Sequence, residues 1–302
     1  MSRGSIGFLL HPREAAGRPL SEALGVAAEA GFDTWTACHD PVKEIAEYAG
    51  GCALLVTVGG DGTFLLGARQ AGPRGIPLLG VNRGQLGFLT DIELDQLPAA
   101  LAEFAVGRHR AQRRSLLTAE LAAPTAGAVP ALAELALNEV VVRTSGINLA
   151  RIRVEVDDEL LGEFDADGII VATATGSTGY ALSAGGPPID PRLRAVVVVP
   201  LAAHAVLTRP VILPEAVRLV LTLVHGRATA AADGHVAADM NEGMQLVVGP
   251  GPEITLVRVT GSMTFLRRLR EKLRIGLPLK QPSPEPSAPG PLTASDDRLE
   301  AP

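Results

Sequence analysis

The stretch Val56-Thr57-Val58-Gly59-Gly60-Asp61-Gly62-Thr63 decides the fold of the first third of the chain. Apolar residues end at Val58, a pair of glycines follows, and a helical pattern begins near Thr63. In a parallel sheet, ligands bind at the carboxyl ends of the strands, where backbone amides and a helix N-terminus attract phosphate. The stretch therefore predicts a strand, a helix and, between them, a phosphate-binding turn made of Gly59, Gly60, Gly62 and Thr63.

Asp61 lies in the middle of this turn, where its negative charge would repel a phosphate. A carboxylate beside a phosphate is useful when it accepts a proton or holds a magnesium ion. The alternative is a tight turn in which Asp61 only caps the helix. The turn by itself leaves both interpretations open.

Strand and helix patterns alternate through the first 110 residues. Strands are predicted over 5–10, 32–36, 53–58 and 76–81, and helices over 20–30, 41–49, 63–71 and 94–104. Such alternation is typical of a parallel sheet that helices cover on both faces. We therefore expect an α/β N-terminal domain with a parallel sheet over residues 1–110.

The pattern changes after residue 110, where helical spacing becomes scarce. Ile152, Val154 and Val156 alternate with charged residues, which is the period of a strand with one wet face. Further strands are predicted over 194–199, 218–224, 244–248 and 254–259. We expect a β-rich C-terminal domain at 111–262, an amphipathic closing helix at 263–277 and a disordered tail, rich in Pro, Ser and Ala, at 278–302.

Composition argues against several classes of protein. The net charge of −6 disfavours nucleic acid or an anionic membrane as the main partner. Two cysteines, Cys38 and Cys52, do not make a disulfide framework, and no Cys/His spacing resembles a zinc site. No apolar run is long enough to cross a bilayer, and the N-terminal apolar stretch is too short for a signal peptide, so we expect a cytoplasmic protein.

Two further segments carry candidate binding groups. Residues 165–186 consist of an apolar strand and then a loop crowded with hydroxyls and glycines, which suit the edges of a base or a sugar. The alternatives are a surface loop, or a divalent-metal site at Asp165 and Asp167, for which two carboxylates alone are weak evidence. Asn138-Glu139 at a strand edge would suit adenine and ribose hydroxyls, although an isolated dipeptide of this kind is more typical of a polar junction.

Taken together, these segments resemble the NAD kinase family. The turn at 59–63 alone is shared with diacylglycerol-type lipid kinases, so the resemblance rests on a set of blocks in a fixed order. The blocks are residues 59–63, residues 80–90 (Gly-Val-Asn-Arg-Gly-Gln-Leu-Gly-Phe-Leu-Thr), Asn138-Glu139, residues 167–186, residues 203–210 and the closing helix at 265–273.

The resemblance implies phosphorylation of the adenosine ribose 2′-hydroxyl of NAD to give NADP. ATP (or polyphosphate) would be the donor, with a divalent metal, Mg²⁺. Asp61 would be the catalytic base that accepts the hydroxyl proton, with Gly62 in contact with the substrate beside it. Asn138 and Glu139 match positions that hold the adenosine.

Other positions match the rest of the dinucleotide site. Phe88 matches an aromatic residue near the base, and Asp167 matches a residue near the nicotinamide end. Residues that match positions lining the dinucleotide are Thr178, Gly179, Tyr180 and Ser183. The resemblance also implies an active site between the two domains, and a homo-oligomer (dimer or tetramer) with sites near subunit contacts.

Four residues depart from the family's usual pattern: Ala174 for Pro, Gly179 for Ala, Asp165 for Arg, and His235 for Gln. Asp165 replaces a potential phosphate partner by a repulsive charge. Two alternatives follow. One is a lipid kinase of the diacylglycerol type, which gives no reason for Asn138-Glu139 and the hydroxyl-rich loop to occur together. The other is a catalytically inactive dinucleotide-sensing module, which only Asp165 and Gly179 support.

Overall fold

The structure, a computed structural model, describes residues 3–11, 17–38, 40–82, 87–121, 132–204 and 209–273. Its strands are β1 (Ser5–Leu10), β2 (Asp33–Ala37), β3 (Cys52–Val58), β4 (Leu78–Asn82), β5 (Ile92–Glu93), β6 (Arg110–Leu121), β7 (Leu132–Ala136), β8 (Glu139–Thr144), β9 (Ala150–Val156), β10 (Glu159–Ala166), β11 (Gly168–Thr173), β12 (Ala195–Leu201), β13 (Val211–Pro214), β14 (Leu219–His225), β15 (Ala228–Ala232), β16 (Val236–Met240) and β17 (Gln245–Arg258). Its α-helices are α1 (Arg18–Glu29), α2 (Pro41–Tyr48), α3 (Asp61–Ala71), α4 (Leu97–Ala105), α5 (Tyr180–Ser183) and α6 (Phe265–Leu273). Residues 83–86 and 205–208 of the sequence blocks, 274–277 of the expected closing helix and the tail at 278–302 lie outside the described residues.

Parallel strands form the N-terminal half of a mixed sheet. β2, β1, β3 and β4 pair in this order, and β5 adds to β4, all in parallel. Alternate residues of β1 point to opposite faces, so Phe8 packs with α1 and α4, whereas Leu9 packs with α2 and α3. Because helices cover both faces, the central strands β1, β3 and β4 are mostly apolar and buried, and the predicted α/β fold of this half is confirmed.

The long strand β17 continues the sheet into an antiparallel half. Its residue Leu256 pairs in parallel with Leu78 of β4, while the rest of β17 pairs in an antiparallel sense with β6 and β14. The two β-rich stretches predicted at 244–248 and 254–259 both fall largely on β17, so they are parts of one strand and not two separate strands. Gly-Pro-Gly-Pro at 249–252 is typical of a turn, but here the register with β6 shifts between Pro250 and Glu253, which makes the segment a bulge.

A second, antiparallel sheet packs against this half. Its strands are ordered β13, β12, β11, β8, β15 and β16. One face meets the mixed sheet in a core that includes Val140 and Val171 from the second sheet and Ile152 and Leu221 from the first. The opposite face is covered by apolar residues of the segment that follows β11. The predicted β-rich C-terminal part is confirmed.

The helix α6 lies in a unit separate from the preceding chain, which divides after Met263. It spans Phe265–Leu273, within the range predicted for the closing helix. In the described ranges no helix has the length and apolar character needed to span a bilayer. The division of the remaining chain at residue 110 stays a proposal.

Candidate active site

The predicted phosphate turn connects β3 to α3. The N-cap of α3 is Gly60, which makes no side-chain hydrogen bond to the amides of the first helical turn. Those amides and the positive end of the helix dipole are thus left for an anion. A Cβ on Gly59 would lie 2.6 Å from Thr63 Oγ1, whereas no described atom lies within 4 Å of a Cβ on Gly60. The turn therefore packs tightly against Thr63 at Gly59, whereas no described atom occupies the space beside Gly60.

Asp61 is the first residue of α3 and is packed against the main chain of Gly87. A Cβ on Gly87 would overlap Asp61 Oδ1 and would lie 2.8 Å from its Cγ. Asp61 Oδ1 is buried and has no hydrogen-bond partner among the described residues. A buried acceptor without a partner is uncommon in proteins, and a ligand that donates a hydrogen bond would satisfy it. The carboxylate can therefore accept a hydrogen bond from a ligand.

The Asn138-Glu139 pair lies where β7 turns into β8, and Asp233 fixes that turn. The Asp233 carboxylate accepts hydrogen bonds from three successive amides, those of Leu137 (3.0 Å), Asn138 (2.8 Å) and Glu139 (3.3 Å). The Asp233 amide donates back to the Glu139 carbonyl oxygen at 2.9 Å. Asp233 comes from the turn between β15 and β16, so the second sheet determines where this pair stands.

The Glu139 side chain is buried beside the start of α5. The Tyr180 N–H donates to its carboxyl group, and a Cβ on Gly179 would lie 3.0 Å from Glu139 Oε2. Burial, followed by the negative charge of Asp233, raises the pKa of Glu139 to about 7, against the lowering effect of the Tyr180 N–H. Oε2 has no hydrogen-bond partner among the described residues. An alanine at position 179 would press on this carboxyl.

The loop after β11 is locked to the same turn. Thr173 Oγ1 donates to the Leu137 carbonyl oxygen at 2.6 Å and accepts from the Gly176 amide at 2.9 Å. Gly176 packs so closely that a Cβ there would overlap the Asn138 carbonyl oxygen. The hydroxyls of Thr173 and Ser177 are buried and bond within the protein, so they build the loop and do not line the ligand surface as their composition suggested.

The remaining predicted residues differ in how far their side chains are exposed to solvent. Thr178 is half-buried and donates to the Thr175 carbonyl oxygen at 3.2 Å. Tyr180 and Ser183 are exposed, three residues apart on α5, so both present their side chains on one side of it. Phe88 follows Gly87 and is half-buried.

His235 lies close to the phosphate turn. Its Nε2 lies 3.6 Å from the position of a Cβ on Gly62. His235 follows Asp233 by two residues, so one turn reaches both the Asn138-Glu139 pair and the residue next to Asp61. The structure therefore brings together the phosphate turn, Asn138-Glu139 and the start of α5.

Asp167 is the predicted site residue that the structure does not bring to this cluster. It precedes β11, whereas the loop at 174–180 follows that strand, so the two are separated by six residues of extended chain, about 20 Å. Asp165 lies beside it and forms a bidentate ion pair with Arg151 at 2.8 and 3.0 Å. This pairing lowers the pKa of Asp165 and neutralises the charge expected to repel phosphate.

Sequence reasoning missed Asp233, Arg69 and Gly87. Asp233-Gly234 is a turn signal, because both residues have positive φ (49° and 69°) between two short strands. That signal predicts the hairpin but not the bonds to residues 137–139, which are almost 100 positions away. Nothing in the sequence marks Arg69, whose Nη1 lies 3.6 Å from Asp233 Oδ2.

The raised pKa of Glu139 predicts a specific dependence of stability on pH. In the folded protein Glu139 keeps its proton up to about pH 7, whereas in the unfolded chain it loses the proton near its ordinary pKa of 4.5. Stability should therefore fall as pH rises between these values, by about 3 kcal/mol in all. Glu139→Gln removes this loss, so its melting temperature should rise relative to the wild type between pH 5 and pH 8. An equal difference at both pH values would contradict the assignment.

Comparisons with known proteins agree with this architecture. Residues 25–109 match the ATP-NAD kinase N-terminal domain, and residues 137–258 match the ATP-NAD kinase C-terminal domain. The NAD kinase of Heliobacterium modesticaldum is 40% identical over 242 residues, which cover 79% of this chain and 84% of that protein. The NAD kinase of Chloroflexus aurantiacus is 36% identical over 273 residues, which cover 89% of this chain and 98% of that protein.

A solved structure supports the fold independently. The crystal structure of yeast NADH kinase complexed with NADH aligns with a TM-score of 0.80 at 22% identity, and the alignment covers 93% of this chain and 91% of that one. The matched sequence regions include the turn with Asp61, Gly87, the Asn138-Glu139 pair, the loop after β11 and the turn with Asp233. The chain belongs to the NAD kinase family.

Proposed function

We propose that this protein transfers a phosphoryl group from ATP to the 2′-hydroxyl of the adenosine ribose of NAD, which gives NADP. The observation that carries the proposal is the unpartnered, buried Oδ1 of Asp61 at the first turn of α3. The turn that holds Asn138 and Glu139 is linked to this region through Asp233 and His235. A carboxylate that can accept a proton thus lies between a phosphate-binding turn and a pair suited to adenosine.

The donor phosphates would bind at the glycine turn. The open main chain at Gly60 and the uncapped first turn of α3 offer amide groups and a positive helix end. These features recognise phosphate and make no contact specific to a nucleoside. ATP and inorganic polyphosphate are therefore both tested as donors.

The acceptor, NAD, would be bound by the Asn138-Glu139 turn and the residues around it, and not by the glycine turn. Asn138 can pair with the adenine edge, and Glu139 Oε2 can accept from a ribose hydroxyl, since it has no partner among the described residues. Tyr180, Ser183 and Phe88 would line the rest of the nucleotide. The ionised Glu139 carboxylate accepts a hydrogen bond more strongly than the protonated carboxyl does, so binding of the acceptor should strengthen as pH rises through about 7.

In the reaction, the 2′-oxygen attacks the terminal phosphorus of ATP while the bond between that phosphorus and the bridging oxygen breaks. Asp61 accepts the 2′-hydroxyl proton, and ADP leaves with the electron pair of the broken bond. Protein kinases and related enzymes accelerate such transfers mainly by positioning and by electrostatic stabilisation. Packing against Gly87 restricts the Asp61 carboxylate to one place, which serves that purpose.

The family implies a divalent metal, Mg²⁺, and the donor set fits one that arrives with the donor. In the described part of the chain no three His, Cys, Asp or Glu side chains are grouped as a metal site. Mg²⁺ commonly binds through substrate phosphates, water and few carboxylates. It would neutralise charge on the phosphates, while the chain supplies the amides of the glycine turn.

The function is tested by incubating the purified protein with NAD, Mg²⁺ and ATP, and by measuring NADP with a dehydrogenase that accepts only NADP. Parallel reactions replace ATP by polyphosphate and NAD by NADH. NADP formation in at least one reaction with NAD is the expected result. Tight binding of NAD without product in any of them would overturn the proposal. The cytoplasmic location expected from the sequence stays a prediction.

A homo-oligomer would explain where Asp167 acts. Asp167 and Tyr180 lie at opposite ends of β11, so Asp167 would reach the nicotinamide end of an NAD molecule bound to a second copy of the chain. Mixing the variants Asp61→Asn and Asp167→Ala should then give more activity than either has alone, because a mixed oligomer contains a site with both wild-type residues. Activity no higher than the average of the two would contradict this arrangement.

A further inference from the structure

Asp233 holds the Asn138-Glu139 turn through its side chain and its main chain. Its two carboxylate oxygens accept from three successive amides, at 2.8 to 3.3 Å. Its own amide donates to the Glu139 carbonyl oxygen at 2.9 Å, and the next residue of β8, Val140, pairs with Ala232. The main chain of residues 137–139 is thus held from both directions by one residue.

The Asp233 side chain is fully buried, and its local backbone is unusual. Its φ is 49°, a region that non-glycine residues adopt rarely and that Asp tolerates better than most. This conformation lets the main chain turn while the carboxylate points back at residues 137–139. Three N–H donors favour the ionised carboxylate, whereas burial raises its pKa. The positive φ and the burial of the carboxylate both cost free energy. Asp233 at this position therefore indicates a functional role in addition to a stabilising one.

Arg69 connects this carboxylate to the donor side of the site. Arg69 is on α3, the helix that begins with Asp61, and its side chain is 9% exposed. Its Nη1 lies 3.6 Å from Asp233 Oδ2, which makes a buried ion pair. The pair joins the helix that carries Asp61 to the turn that carries Asn138 and Glu139.

The Asp233 charge also acts on the ionisation of Glu139. The groups that face Glu139 are the Asp233 carboxylate from the turn after β15, with Arg69 of α3 beyond it, and the Tyr180 N–H from α5. After burial, the Asp233 charge is the second cause that raises the pKa of Glu139. Removal of that charge should let Glu139 ionise at lower pH.

We propose that Asp233, paired with Arg69, is the positioning residue of the acceptor site: it fixes the Asn138-Glu139 turn at a set distance from Asp61. The proposal rests on the proposed function, in which that turn binds the adenosine of NAD. It predicts that loss of the pair weakens NAD binding far more than donor binding, because the glycine turn keeps its own contacts.

The test compares Asp233→Asn and Arg69→Met with the wild type. Asp233→Asn keeps the shape but turns an amide NH₂ toward N–H donors, so KM for NAD should rise by about tenfold to a hundredfold, the range expected when hydrogen bonds to a charged group are lost. KM for ATP should stay within about twofold, a difference too small to count as a lost contact. Arg69→Met should act in the same direction, and Arg69→Lys, which keeps the charge, should restore most of the affinity.

A pH profile separates positioning from a general loss of structure. Affinity for NAD should rise with pH in the wild type, and the midpoint of that rise should move to lower pH in Asp233→Asn. The matched control is Arg74→Met, which removes an exposed arginine that bonds only to Gln70 in the contacts described, and it should leave both KM values unchanged.

Three outcomes decide the proposal. An unchanged KM for NAD in folded Asp233→Asn, with circular dichroism and melting as checks, would overturn it, as would an equal rise in both KM values. If Asp233→Asn does not fold, Arg69→Met decides, and a normal KM for NAD in that variant would overturn the proposal. A wild type that makes no NADP would instead count against the proposed function, and the affinity measurements on NAD would still test the positioning role.

Discussion

Asp61→Asn should lower kcat by about 10²- to 10⁴-fold, the range that a general base contributes, while KM for NAD changes little. The amide has nearly the same shape as the carboxylate but cannot accept the 2′-hydroxyl proton. The fold should persist, because the change removes only the favourable interaction of a carboxylate with the helix N-terminus, about 0.3–1 kcal/mol. Steady-state kinetics with NAD and ATP, together with a melting curve, make the measurement.

The matched control for Asp61→Asn is Asp95→Asn, the same chemical change at an exposed residue outside the site. It should retain wild-type kcat. If Asp61→Asn keeps near-normal turnover at saturating substrate, Asp61 is not the base and the proposed mechanism fails. A rise in KM for NAD with unchanged kcat would point to substrate binding as the role of Asp61.

Gly87→Ala should reduce kcat by about a hundredfold, the loss expected when a catalytic group moves by about 1 Å. The added methyl would overlap Asp61 Oδ1 and must displace the carboxylate or the segment around residue 87. Gly25→Ala is the control, since Gly25 is exposed on α1 with no described atom within 4 Å of its Cβ position. That variant should keep activity and gain slight helix stability.

The double variant shows whether Gly87 acts through Asp61. In the Asp61→Asn background, Gly87→Ala should add little further loss, because groups that act as a unit give non-additive effects. Independent multiplication of the two losses would mean that residue 87 affects the reaction by another route. Full activity of Gly87→Ala would contradict the packing that places Asp61.

Much of the fold could be predicted from local patterns. The alternation of apolar strands and amphipathic helices predicts the parallel half, where packing on both faces makes strands continuously apolar. The stretches at 244–248 and 254–259 are predicted as separate because Gly-Pro-Gly-Pro between them has the same composition in a turn and in a bulge. Only pairing with the distant strand β6 decides between the two, and that pairing cannot be read from a local window.

The candidate site could likewise be predicted only in part from the sequence. Asp61, Asn138 and Glu139 stand in short segments whose residue types indicate their chemistry. The contacts that hold those residues in place join positions far apart in the chain, as Asp233 does with Asn138. Gly87 is one glycine among 33, and nothing near it in sequence indicates that it touches Asp61.

The most direct test of the central claim is phosphorus NMR of the reaction with NAD, Mg²⁺ and the active donor, for the wild type and Asp61→Asn at equal concentration. We predict a new phosphomonoester signal that matches authentic NADP in the wild-type reaction and is absent from the Asp61→Asn reaction over the same time. A phosphomonoester at another hydroxyl, or the same signal at the same rate in both reactions, would contradict the assignment of Asp61 as the base that directs phosphoryl transfer to the 2′-hydroxyl.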